Sequence, residues 1–80
     1  VNQAIQIQDG FEMRDDVMVL TLVVSGLIMY CHVSAIAADD MATFYQAHQF
    51  DLEEMISECV ENEQWDENGV IHINANAIGA

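Results

Sequence analysis

The sequence has no proline and almost no positive charge: Arg14 is the only Lys or Arg, set against 14 Asp and Glu, for a formal net charge of -13. The lack of basic residues excludes direct nucleic-acid binding through a cationic surface, because phosphate contacts need Lys and Arg. It also argues against docking on anionic membranes. Pro-rich and Ser-rich linkers are absent, as are internal repeats, so nothing divides the chain. The four glycines, Gly10, Gly26, Gly69 and Gly79, are scattered. They make no phosphate-cradling loop.

Cysteine is scarce too. Cys31 and Cys59 could form at most one bridge and lack CxxC spacing. They read as free thiols of a reducing, cytoplasmic compartment. No charged stretch followed by an apolar one marks a targeting segment near Val1 to Glu12. What the chain does have is apolar content, 52% of its 80 residues. That is above the globular norm and excludes a disordered acidic tail. A chain this short buries only about 60–65% of its unfolded surface, and oligomerisation is one remedy for the small core that results.

Val17 to Val33 runs without a charge. Its length is at the lower limit for a membrane span. Ser25-Gly26 interrupts it, β-branched residues crowd it, and Asp15-Asp16 precede it. An anchor would carry positive charge at that point. Two strands joined by a tight turn fit better, over Val17 to Val24 and Leu27 to Ser34. Both alternating sets of the first are apolar: Val17, Val19, Thr21, Val23 and Met18, Leu20, Leu22, Val24. Such a strand needs cover on both faces, from the monomer or from a partner, and a homodimer through the apolar sheet surface is the expectation.

Ala4 to Gln8 alternates as a further strand and ends at Asp9-Gly10. Phe11 to Asp16 reads as a connection. Helical spacing begins after Ala38, with Asp39 and Asp40 at the start and Met41, Phe44, Tyr45 and His48 on one face. A second helix opens at Asp51, with Glu54 completing an Asp form of the capping box and Phe50 and Met55 as a hydrophobic staple. Leu52, Met55, Ile56, Cys59 and Val60 form its apolar stripe. The break falls near Gln49-Phe50, although one bent helix is also open. Asn68-Gly69 then supplies a turn and Val70 to Ile73 a closing strand. The expected fold is a two-layer α+β domain over 1–74, in the order β-β-β-α-α-β. About four antiparallel strands form the sheet and two helices cover one face, with 75–80 as a flexible tail.

The opening Asn2-Gln3-Ala4-Ile5-Gln6, the strand end Cys31-His32-Val33-Ser34 and the run Phe44, His48, Asp51-Leu52-Glu53-Glu54 resemble bacterial domain of unknown function family 1488, small proteobacterial proteins. The resemblance spans Asn2 to about Ile73 and includes the short strand after an acidic turn, Asp66 to Ile73. It implies a small cytoplasmic α+β domain and carries over no catalytic motif. The chain departs from the family at Gln49, where Arg is frequent, and in the apolar run Met18 to Val24.

The chemical motifs are weak. Setting Gly69 at position 6 of a calcium loop puts Asp66 and Asn68 at positions 3 and 5. Gln64 then falls at position 1 and Ala75 at position 12. A bidentate Glu is required at the last position, so a polar turn is the plainer reading. His32, His48 and His72 lack paired zinc spacing, and Ser25, Ser34 and Ser57 lack a nucleophile context. No catalytic residue, cofactor or metal is expected.

The strongest signal is a carboxylate row on the second helical segment. Asp51, Glu54, Glu58 and Glu61 follow at spacings of 3, 4 and 3, with no lysine among them. Those spacings put them on one face. A solubilising surface is the plain reading, and a docking face for a basic protein partner the functional one. The sequence thus points to a non-enzymatic, self-associating interaction module. The alternatives are a nucleic-acid-mimic inhibitor of a DNA- or RNA-binding protein and a small-molecule-binding or enzymatic domain at a dimer cleft.

Overall fold

In a computed structural model, which describes residues 4–78, the charge-free run is a β-hairpin. The opening residues 1–3, and 79–80 of the expected tail, lie outside the described residues. Strand β3 (Val17–Val24) pairs with β4 (Leu27–Ser34) through the two-residue turn Ser25-Gly26. Both turn residues have positive φ, 52° and 85°. The mirror-image turns that match strand twist require this. Among the described residues no helix is long and apolar enough to cross a membrane.

The expected connection Phe11 to Asp16 contains a strand instead. Strand β1 (Ile5–Ile7) and strand β2 (Glu12–Arg14) both pair antiparallel with β3, one after the other along the same edge. Ile7 faces Leu22 and Glu12 faces Val19, so Gln8 to Phe11 lie opposite two residues of β3. The surplus forms a bulge. The β2–β3 turn, Asp15-Asp16, has positive φ at both positions without a glycine. Glu12-Met13-Arg14 has little strand pattern of its own; backbone pairing with β3 makes it one.

The closing strand overturns the wholly antiparallel sheet. Strand β5 (Val70–Asn74) lies parallel to β4, with Tyr30 beside Val70 and His32 beside His72. The sheet is therefore mixed, with β1 and β2 on one edge, then β3, β4 and β5. Adjacent parallel strands need a long crossover, and the helical segment supplies it.

That segment corrects the expectation of two helices. Among the described residues there is one α-helix, α1 (Met41–Glu61), entered through a 3₁₀ turn at Ala38–Asp40. Its bend lies at His48 (φ -123°, ψ 21°), inside the helix and close to the expected break. The capping box does not form, because the Asp51 carboxylate faces His48 Nδ1 at 3.2 Å. Phe50 is 82% exposed, so the staple with Met55 is absent too. Asp39 and Asp40 do sit at the helical start, but Asp40 makes no side-chain capping bond.

The helix ends with Gln64 N donating to Cys59 O at 2.8 Å and Glu63 N to Val60 O at 3.2 Å. These are the two bonds of a Schellman arrangement. Its left-handed position is held by Glu63, at φ 54°. Glycine is usual there, and a carboxylate also sits poorly at the negative helix end. Glu63→Gly is expected to stabilise the protein by about 1 kcal/mol, a rise in melting temperature of about 5 °C, readable by calorimetry.

Alternation sorts the sheet into two faces. Met18, Leu20, Leu22, Cys31, Val33, Ile71 and Ile73 point at α1 and meet Leu52, Ile56 and Val60 in one buried cluster. The chain after Asn74, expected as a loose tail over 75–80, continues into a 3₁₀ turn at Ala75–Ala77, and Ala75 and Ile78 enter the same cluster. The opposite sheet face has no helix over it among the described residues.

Candidate functional site

The four carboxylates predicted to share a face are all exposed on α1. They are not equivalent. Asp51 is engaged by His48, whose ring lies 4.8 Å from that of Phe44, whereas Glu54, Glu58 and Glu61 make no ion pair among the described residues. Around them runs a shallow concavity lined by Phe50, Glu53, Glu54, Ser57, Glu58 and Glu61. A second lies where Asp51, Glu54 and Glu58 approach Ala77 and Ile78. The exposed Phe50 gives this anionic surface an apolar element that the sequence pattern assigned to a buried staple.

The outer sheet face is the second candidate surface. Register sets it out in rows: Val23 beside Ile28, Thr21 beside Tyr30 beside Val70, and Glu12 beside Val19 beside His32 beside His72. Ile28 is 64% and Tyr30 41% exposed. The strand residues of this face carry one carboxylate, Glu12, and one arginine, Arg14, joined at 3.0 Å, beside the two histidines. In a chain of net charge -13 this face is poor in carboxylates: Glu12 lies on it and Asp66 borders it, whereas the others lie on α1, in the turns and in the loops. At the hairpin tip the apolar surface continues around Leu27 to Trp65 and Gly69. No protein-family profile, no curated protein and no solved structure matches the chain.

A polar cluster interrupts the apolar face. Asp66 opens the turn before β5: its Oδ1 accepts from Asn68 N and Val70 N, both at 2.9 Å, and its Oδ2 contacts His72 Nε2 at 2.8 Å. His72 in turn stands edge-on to His32, with ring centres 5.6 Å apart. This uses the Asp66–Gly69 segment as a turn, as the plainer sequence reading had it. Sequence spacing missed the cluster. Alternation against Cys31 and Ile71 places both histidines outward, but only the parallel register makes them neighbours.

The hydrogen bond with His72, then those from Val70 and Asn68, hold the Asp66 carboxyl below its ordinary value of 3.8. A lowered carboxylate stabilises the fold above its unfolded value, and that contribution is lost as pH falls through the lower folded one. The Asn68 and Val70 amides are expected to stay protected from hydrogen exchange at neutral pH and to lose that protection only as pH falls below the ordinary carboxylate range, where folded Asp66 is protonated. Asp66→Asn removes that acid step.

Neither thiol is suited to nucleophilic work. Burial, and secondarily the nearby Cys59, push Cys31 up to about 12. Cys59 is raised by partial burial and by Glu58. Thiolate, the reactive form, is scarce in both at neutral pH. Cys59, on α1, packs against the buried cluster that contains Cys31 of β4.

Proposed function

We propose that this chain is a non-enzymatic interaction module that self-associates through the outer face of its sheet and offers the acidic face of α1 to a basic protein. The carrying observation is the asymmetry of cover. One helix closes one side of the sheet, and the other side presents Val23, Ile28, Tyr30, Thr21 and Val70 with few carboxylates.

A second copy suits that face on two grounds. With β3 and β4 of eight residues, β5 of five and β1 and β2 of three each, two copies stacked face to face cover roughly 900 Å², close to the lower bound of about 1,000 Å² for a specific interface. Charge supports the same pairing. Two chains of net charge -13 repel unless they meet where the carboxylates are few, and this is that place.

On α1, Glu54, Glu58 and Glu61 flank the exposed Phe50. That combination suits a cationic helix or loop with an apolar anchor, drawn in by the field and released by salt.

Sedimentation at increasing protein concentration tests self-association. The expected mass is two chains, shifting to one in Ile28→Lys, a change on an exposed residue. A wild type that stays at one chain at high concentration contradicts the proposal.

A further inference from the structure

We propose that His32 and His72 form half of a transition-metal site on the outer sheet face, completed by the same pair from a second copy. The inference rests on the self-association reading for its second half and on the geometry of one chain for its first.

The parallel register sets the two histidines side by side on neighbouring strands, both pointing away from α1. Two imidazoles bound to one tetrahedral ion, with metal–nitrogen bonds of about 2.0–2.1 Å, place their ring centres roughly 5–5.5 Å apart. The observed separation is 5.6 Å. Convergence of the nitrogens from the edge-on arrangement needs a side-chain rotation. His32, half-buried and without a side-chain hydrogen bond among the described residues, supplies that rotation while His72 stays on Asp66.

Asp66 prepares His72 for this role. Its carboxylate accepts the hydrogen bond from His72 Nε2–H at 2.8 Å. That fixes the tautomer and leaves the Nδ1 lone pair for an ion. Asp66 is itself held by two backbone amides, so the carboxylate is positioned before any ion arrives. Carboxylate–histidine–metal relays are built this way.

Neutral imidazole pairs select zinc, copper(II) or nickel over calcium or magnesium, which prefer oxygen. Among the described residues no group of three or more His, Cys, Asp or Glu is placed to hold a metal. One chain therefore offers two ligands, and a tetrahedral ion requires four. A two-fold contact of the outer faces brings identical residues together. If its axis passes beside His32 and His72, the second pair completes the set and the ion bridges the copies.

The test titrates Zn²⁺ into metal-free protein. Calorimetry gives the stoichiometry and sedimentation the mass. The expected result is one Zn²⁺ per two chains. Dimer association should tighten on the order of 100-fold when Zn²⁺ stands about a hundredfold above its dissociation constant. His32→Gln and His72→Gln should each abolish the effect, and Mg²⁺ should not reproduce it. Glu54→Gln with Glu58→Gln and Glu61→Gln should retain it, since those carboxylates are on α1.

Zinc binding that survives both histidine changes, or that occurs once per chain with no change of mass, overturns the shared site. A metal-free dimer indifferent to Zn²⁺ removes this inference and leaves self-association standing. A metal-free monomer that Zn²⁺ converts to a dimer does the opposite, supporting the site while removing metal-free association.

Discussion

Ile56→Ala is expected to lower the melting temperature by on the order of 15 °C. Ile56 is fully buried on the face of α1 that meets the sheet, among Leu52, Val60 and the inward residues of β3, β4 and β5. Truncation removes three carbons from a site where neighbours arrive from two layers, so the structure cannot collapse to refill it. Such changes cost about 2–5 kcal/mol, a large share of the roughly 5–10 kcal/mol available to a domain of this size. Thermal unfolding followed by circular dichroism measures the loss. Ser57→Ala, one position along and off the core, should shift the transition by under about 2 °C. Equal effects at both positions would show that α1 does not seal the sheet through this stripe.

The second large effect runs the other way. Changing Glu54, Glu58 and Glu61 together to Gln is expected to raise stability by about 1.5 kcal/mol, on the order of 8 °C. Each neighbouring like-charge pair along Asp51, Glu54, Glu58 and Glu61 costs roughly 0.2–0.5 kcal/mol. Glu61 adds a further penalty at the negative helix end, roughly a few tenths to 1 kcal/mol. The change removes three carboxylates and so takes the formal charge from -13 to -10. Moderate salt should raise the wild-type melting temperature for the same reason and should help the triple variant less. If the carboxylates serve a basic partner, the variant that is more stable is also the one that loses binding. That opposition separates a docking role from a solubilising one: stability rises in either case, but capture of a cationic peptide falls only in the first.

Which parts of this molecule could be read from sequence depended on whether a local pattern had a single physical solution. The hairpin did: a charge-free, β-branched run broken by Ser25-Gly26 leaves little but two strands and a tight turn. The buried stripe Leu52, Ile56 and Val60 also did, because helical spacing fixes a face. Where two solutions compete, the local pattern did not decide. Asp51 and Glu54 look like a helix start, yet His48 claims the Asp51 carboxylate and α1 passes through with a bend. Period-two alternation at Val70 to Ile73 gives a strand but not its direction, so the parallel pairing with β4 was hidden. Glu12 to Arg14 and the turn at Ala75–Ala77 have weak patterns of their own and owe their form to what they pack against. The carboxylate row was legible as a row, but the exposure of Phe50 beside it was not. The histidine pair was invisible for the same reason as the strand direction.

The bulge at Gln8 to Phe11 has a consequence beyond local geometry. It is tied down where Gly10 N donates to the Tyr45 hydroxyl at 2.9 Å and where the Phe11 and Tyr45 rings lie 5.4 Å apart. Glu12, Arg14, Asp15 and Asp16 lie beyond it. An irregular, charged border of this kind is a poor template for strand-by-strand polymer growth. In the proposed dimer, stacking through the outer sheet face terminates at two chains, because a two-fold contact uses the same face of both copies. The border formed by β1 and β2 thus resists strand addition on its own side, and in that dimer the apolar hairpin is spent inside a closed, finite particle.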